Sequence, residues 1–226
     1  MSSLEQKEMP IFNIRGLDKE DLSQVTAVEQ SAWEPEWQAT KDKFAARIKT
    51  FPEGVIGVFS QERLAGMATS MRLDFNLKEL PSFQKPWEKI TGDGYINTHN
   101  PEGNALYIVS VSVHNDFQGQ GLGRKLVEAQ IELARKKGLD LVVLGARMPG
   151  FREYLTKKYP DQLPVGNKLE KEAKAYLFSK KDDGKPVDPE IRFYHSYCGF
   201  RIGKLIADFG PDKASGNFGV LVFRNL

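Results

Sequence analysis

Apolar positions recur along the chain at two spacings, and the switches between them lay out the elements. Ile11 to Arg15 alternates as a short strand, and Leu22, Val25, Val28 and Ala32 then follow at helical spacing, with Asp18 where an N-cap belongs. Thr40 is placed to cap a second helix with Phe44, Ala45 and Ile48 on one face. The β-rich runs 55–59 and 64–71, joined by Gln61-Glu62-Arg63, predict a hairpin. Between 73 and 104 the periodicity is lost among Pro81, Pro86, Gly92, Gly94, Pro101 and Gly103, and a segment of that length reads as a functional loop. Leu106, Ile108, Val109, Val111 and Val113 form the strongest β run.

Gly121 to Lys137 follows as an amphipathic helix with an inner stripe of Leu122, Leu126, Ala129 and Leu133, widened by Val127 and Ala134. Gly138 suits a left-handed C-terminal position, and Arg135, Lys136 and Lys137 complement the negative end of the helix dipole. Residues 141–144 read as a strand buried on both faces. Residues 150–186 read as an irregular excursion with a helix around 169–180, and Pro189 opens a further helix closing at Cys198-Gly199. Strands at 200–207 and 218–223, with a turn-rich link over 210–217, complete one mixed α/β domain over 11–224. That domain carries insertions at about 73–104 and 150–186, and residues 1–10 are expected to be flexible.

Composition narrows the function classes. With 32 Lys+Arg against 30 Asp+Glu in 226 residues, the net charge of +2 supplies no global field toward nucleic acid or an anionic membrane. One cysteine, Cys198, excludes an intrachain disulfide framework and a cysteine zinc cage. His99, His114 and His195 show no paired ligand spacing, so no metal is expected. The first ten residues hold no apolar signal core, and no apolar stretch is long enough for a bilayer, so a cytoplasmic protein is expected.

The most informative residues are Gln118-Gly119-Gln120-Gly121-Leu122-Gly123, set between a β run and a helix. Unpaired N–H groups and a partial positive charge at a helix N-terminus stabilise an anionic phosphate, and glycine lets backbone approach it. Arg124 and Lys125 in the first turn add charge at the rim. A dinucleotide fingerprint starting at Gly119 and Gly121 meets Arg124 where glycine is needed, and a P-loop would need a different spacing and a hydroxyl.

The segment resembles instead the Q/R-x-x-G-x-G/A signature of the GNAT superfamily of N-acetyltransferases. Residues 106–113 are similar to that family's fourth strand, 122–137 to its third helix, and 193–200 to its second signature, a helix ending in Gly-Phe. The stretches 90–94, 99–107, 145–151, 188–193 and 212–221 further resemble a subgroup that occurs alone or joined to a carbon–nitrogen hydrolase domain.

The resemblance implies a mixed, mostly antiparallel sheet of six to seven strands flanked by helices and splayed between strands 4 and 5. It implies acetyl-CoA as cosubstrate, with Val111, Ser112 and Val113 pairing with the pantetheine arm and the amides from Gly119 to Arg124 under the pyrophosphate. The acceptor would be a small-molecule or peptide amine, and a homodimer is left open. The Val113 N–H is the candidate oxyanion donor. Many members place a Tyr four residues before the Gly-Phe glycine; here that position is His195, with Tyr194 and Tyr197 on either side, and all three are candidate proton donors to the leaving thiolate. In an unbroken helix Tyr194 and Tyr197 would share a face, with His195 about 100° from Tyr194. Tyr107 stands where some members carry a strand-four carboxylate, and Asp93 and His99 are the ionisable residues best placed to meet an acceptor. The absent carboxylate and the Tyr-to-His change keep a second class open, an acyl-CoA-binding sensor without turnover.

Overall fold

A single seven-stranded sheet runs through residues 11–226, the part of the chain that the computed structural model describes. Residues 1–10, expected to be flexible, lie outside the described residues. The strands are β1 (Phe12–Gly16), β2 (Val55–Ser60), β3 (Arg63–Leu73), β4 (Ala105–Val113), β5 (Leu141–Ala146), β6 (Arg201–Ile206) and β7 (Gly219–Asn225), in the order β1-β2-β3-β4-β5-β7-β6. Every neighbouring pair is antiparallel except β4 and β5. The helices are α1 (Leu22–Ala32), α2 (Lys41–Thr50), α3 (Trp87–Thr91), α4 (Leu122–Lys136), α5 (Phe151–Lys158), α6 (Gly166–Leu177) and α7 (Pro189–Arg192). No helix among the described residues is long and apolar enough to cross a membrane.

The helix ends show which sequence signals act. Thr40 accepts the Lys43 N–H at the start of α2, as its position predicts. The helix α1 begins three residues later than the Asp18 signal implies. Asp21 takes the N-cap position without capping, because Arg15 claims its carboxylate in a bidentate pair at 2.6 and 2.7 Å. The helix α4 ends as expected, with Gly138 at φ +67° and the Leu139 N–H returning to the Ala134 carbonyl.

Its buried face is rotated from the predicted stripe. Leu122, Leu126, Val127, Gln130, Ile131 and Ala134 are buried, whereas Ala129 and Leu133 lie at the margin. Gln130 explains the rotation: its amide donates to the Gly54 carbonyl at 2.9 Å and accepts from the Ser70 hydroxyl at 2.7 Å. A polar residue is admitted to the interface because every atom it buries finds a partner.

The helix expected around 169–180 is present as α6, and both insertions carry further structure besides. Residues 73–104 contain a 3₁₀ segment, Leu77–Ser82, and the short α3. The excursion after 150 folds as α5 and α6. These are tied together by Glu172, which accepts from Tyr154, Lys158 and Tyr159. Phe209 packs across the paired strands β5 and β7, where side chains at Gly145 and Gly219 would collide with its ring at 2.0 and 2.2 Å. Gly145→Ala is therefore expected to destabilise the fold by about 1–3 kcal/mol through overpacking. Urea unfolding measures this, and an unchanged midpoint would show that Phe209 can move aside.

Candidate functional site

The sheet opens at one place. The parallel pairing of β4 and β5 extends only from Ala105↔Leu141 to Ile108↔Leu144, while β4 continues to Val113 against β3. The divergence starts at a bulge, since Ser70 faces Ile108 and Thr69 faces Ser110, which leaves Val109 as the extra residue. Past the bulge, the His114 N–H donates to the Ala65 carbonyl on the β3 side. Strand alternation then turns the backbone of Ser112 toward β3 and that of Val111 and Val113 toward the opening. The Gln118 side chain lies 3.4 Å from the Val113 carbonyl on that edge.

A cavity of about 490 Å³ occupies the opening. Val111, Val113, Gln118 and Gly123 line one end, and Trp33, Trp37, Arg47 and Asp93 stand on the other side. Trp87, from the first insertion, holds the closed end of the gap. Its indole N–H donates to the Val109 carbonyl and its backbone N–H to Phe209.

The predicted phosphate turn has the required backbone. Gly119 and Gly121 both sit at φ +75°, where a side chain is strained, although a Cβ at either would meet nothing within 4 Å. Gly121 is the N-cap of α4 and no described side chain caps the helix, so its first amides have no acceptor among the described residues. The first turn holds no acid but does hold Arg124 and Lys125, which the helix dipole disfavours unless an anion sits there. Lys125 leans over the Phe12 ring at 5.3 Å, so Arg124 is the freer of the two. Gln120 and Leu122 differ in role: the first is exposed on the turn and the second anchors it in the core.

The structure separates the remaining predicted residues. Phe193–Tyr197 is a π-helical turn, not a continuation of α7, so the expectation of one shared face for Tyr194 and Tyr197 is corrected. The wider turn changes the angle per residue. Tyr194 is buried and lines the cavity, Tyr197 is 46% exposed, and His195 is exposed with Nδ1 2.8 Å from the Phe200 carbonyl. Ser112 is likewise unsuited to backbone pairing across the opening. Its hydroxyl accepts from the Trp33 indole N–H at 2.7 Å and donates to Glu29 at 3.0 Å. Asp93 lines the cavity, but His99 does not: it accepts the Arg72 N–H and stacks on Phe51. Tyr107 is enclosed beside β5, with no partner for its hydroxyl.

Sequence reasoning missed the cavity's buried and half-buried charges. Glu29 is 3% exposed, accepts from Ala39 N–H and Ser112 Oγ–H, and is shifted upward in pKa by burial. Glu190, in the first turn of α7, accepts the Arg147 N–H at 2.9 Å, and desolvation raises its carboxyl to about 7. Arg147 is ion-paired to Asp212 at 2.7 Å and lies over Trp33 and Trp37. Burial pushes the Tyr194 phenol well above its ordinary range and the Cys198 thiol up to about 12, which makes that thiol inert. In sequence these acids look like ordinary helix-surface residues; only the packing of α1 and α7 over the opening sets them apart.

Comparison with known proteins places these features in context. The family model described as the acetyltransferase (GNAT) family matches residues 20–154. Two curated Bacillus subtilis proteins are similar. The uncharacterized N-acetyltransferase YkwB is 27% identical over 96% of this chain and 89% of its own length. The probable hydrolase YhcX is 26% identical over 89% of this chain, which spans only 36% of that longer protein. Among solved structures, the loading GNATL domain of CurA from Lyngbya majuscula is 26% identical with a TM-score of 0.76, covering 95% of this chain and 98% of that one. The GNAT-like decarboxylase GphF, in complex with isobutyryl-CoA, has the same TM-score at 23% identity, over 94% and 98% of the two chains.

The Glu190 environment has a consequence for stability. Its folded pKa lies above the unfolded value, so ionisation between about pH 4.5 and 7 works against the fold. Glu190→Gln keeps an acceptor for Arg147 N–H and loses the charge. It should be more stable than the parent at pH 8.5 and indistinguishable from it at pH 4, as read by urea unfolding at both values.

Proposed function

The chain belongs to the acetyltransferase (GNAT) family, and from that premise we propose that it transfers an acyl group, most simply acetyl, from acyl-CoA to a primary amine by direct attack. The single observation that carries the reading is the unpaired edge of β4 beside the uncapped start of α4. It offers backbone amides to an extended pantetheine arm and to a diphosphate within one continuous cavity. In this reading Val111 and Val113 pair with the arm, and the amides from Gly119 to Arg124 hold the diphosphate, with Arg124 adding charge.

The chemistry needs a neutral amine, a donor for the oxyanion and a proton for the departing thiolate. Glu190 takes the ammonium proton, since its carboxyl near 7 is matched to a base working at neutral pH. The amine nitrogen then bonds to the thioester carbon. The Val113 N–H faces the developing oxyanion, the C–S bond breaks as the Tyr194 hydroxyl protonates the sulfur, and the proton shed by the acylated nitrogen restores that hydroxyl. A buried phenol held above its ordinary pKa stays protonated across the working range and is always available as donor. In this reading Asp93, which lines the cavity, meets the acceptor.

Thiol release from acetyl-CoA with a panel of amines tests the reading. Turnover is expected to rise through about pH 7, and Glu190→Gln should lower kcat/KM about a hundredfold and remove that limb. Tyr194→Phe should lower kcat more than it changes KM for acetyl-CoA, and His195→Phe should change neither. Thermal stabilisation by acetyl-CoA without thiol release would make the protein a cofactor sensor. Release of CO₂ from a carboxylated acyl-CoA, with the thioester intact, would assign the cavity to decarboxylation instead.

Gly121→Glu sets a carboxylate against the diphosphate and should weaken CoA binding more than tenfold beyond Gly121→Ala, which reports backbone strain alone. Equal affinities for the two variants, measured by calorimetry, would remove the assigned site.

A further inference from the structure

The side of the cavity facing α1 and α2 holds a cation that neither the phosphate turn nor the proton transfers use. Arg47, on α2, is 1% exposed and lines the cavity. Its Nε donates to the Gly94 carbonyl at 2.7 Å, and Nη1 makes one long contact, 3.4 Å, with the Ser110 hydroxyl. Nη2 has no acceptor among the described residues. Tyr107 Oη is the one fully enclosed side-chain polar atom without a partner among the described residues, so Nη2 keeps a small accessible edge, and the cavity is the space that Arg47 lines. A guanidinium has five N–H donors in a planar fork suited to a carboxylate, and most of that fork is unused here.

The surrounding charges do not supply the missing partner. Arg47 forms no ion pair with any described residue. Glu29 is the acid acting on it, but both of its oxygens are engaged, by Ala39 N–H and Ser112 Oγ–H, and burial favours its neutral form. Glu36, Glu88 and Asp93 are other acids lining the cavity, and Lys43 is a cation there. Arg147 is already committed to Asp212. A buried cation without a countercharge is costly, and burial pushes the Arg47 pKa down to about 10. Lysine would be tolerated more readily at a position needing only length, but the fork geometry calls for arginine.

We propose that Arg47 is a carboxylate receptor, and that the substrate bound opposite the phosphate turn carries a carboxylate group which closes on its free guanidinium edge. This deepens the acyltransfer reading and rests on it. Arg47 hangs over Ser110, next to the bulge where β4 leaves β5. Two sources share that chemistry: an amino-acid-like acceptor, or the far end of a dicarboxylic acyl chain.

Matched probes separate them. With acetyl-CoA fixed, L-alanine is compared with L-alaninamide; without acceptor, malonyl-CoA is compared with acetyl-CoA and succinyl-CoA with butyryl-CoA. Binding is read by calorimetry and thermal shift on the full chain. The carboxylate-bearing member of at least one class of pair is expected to bind tenfold tighter or more. Arg47→Gln should erase that preference, Arg47→Lys should keep part of it, and free CoA should bind all three proteins equally. No preference for the carboxylate in any pair, while CoA binds the parent normally, would overturn the receptor. Loss of CoA binding in the parent would instead overturn the acyltransfer reading. If the Arg47 variants fail to fold, the matched pairs on the parent protein decide alone.

Discussion

Backbone amides and carbonyls inside a sheet must find partners, and an unpaired one in a dry interior costs about 1–3 kcal/mol. The strand β4 breaks this requirement on one edge. It pairs with β5 for four residues and then runs on alone, so Val111 and Val113 keep groups that no neighbouring strand satisfies. Such an edge is stable only beside a solvent-filled or ligand-filled space. The bulge at Val109, the Trp87 indole and the Phe209 ring border that space. The cavity, the start of α4 and the π turn bearing Tyr194 are all arranged around this unpaired edge.

The charges deepen the division of the cavity. Toward α4 the walls are amides and aliphatic side chains, which suit an extended thioester arm. Toward α1, α2 and α7 they hold Glu29, Arg47, Glu190 and the Arg147–Asp212 pair. Desolvation is the first cause of the shifts at Glu29, Arg47 and Glu190. Burying ionisable groups in the wall of an opening is expensive for stability and is a frequent mark of sites that handle protons or charged substrates.

The legible parts of the sequence were those encoded over short distances. The hairpin of β2 and β3, the Thr40 cap, the Gly138 stop of α4 and the glycine turn at 118–123 depend on local backbone demands and match the structure. The displaced start of α1 and the rotated face of α4 depend on distant partners: Arg15 for Asp21, and Ser70 with Gly54 for Gln130. The helix α5 was hidden for a similar reason, since its buried Phe151 and Leu155 pack against residues far away in the chain. The family resemblance carried by 118–123 and 193–200 located the opening before any geometry did.

By itself the sequence determined the mixed α/β order of elements, the glycine turn at 118–123 and the strand beside it, because each is written in neighbouring residues through φ preference, capping and periodicity. Which aromatic of Phe193–Tyr197 reaches the cavity was decided by the π turn, and which acids become unusual was decided by the helices that bury them. Desolvation and side-chain direction are properties of the assembled interior. Glu29, Arg47 and Glu190 therefore acquire their chemistry only once α1, α2 and α7 close over the edge that β4 leaves unpaired.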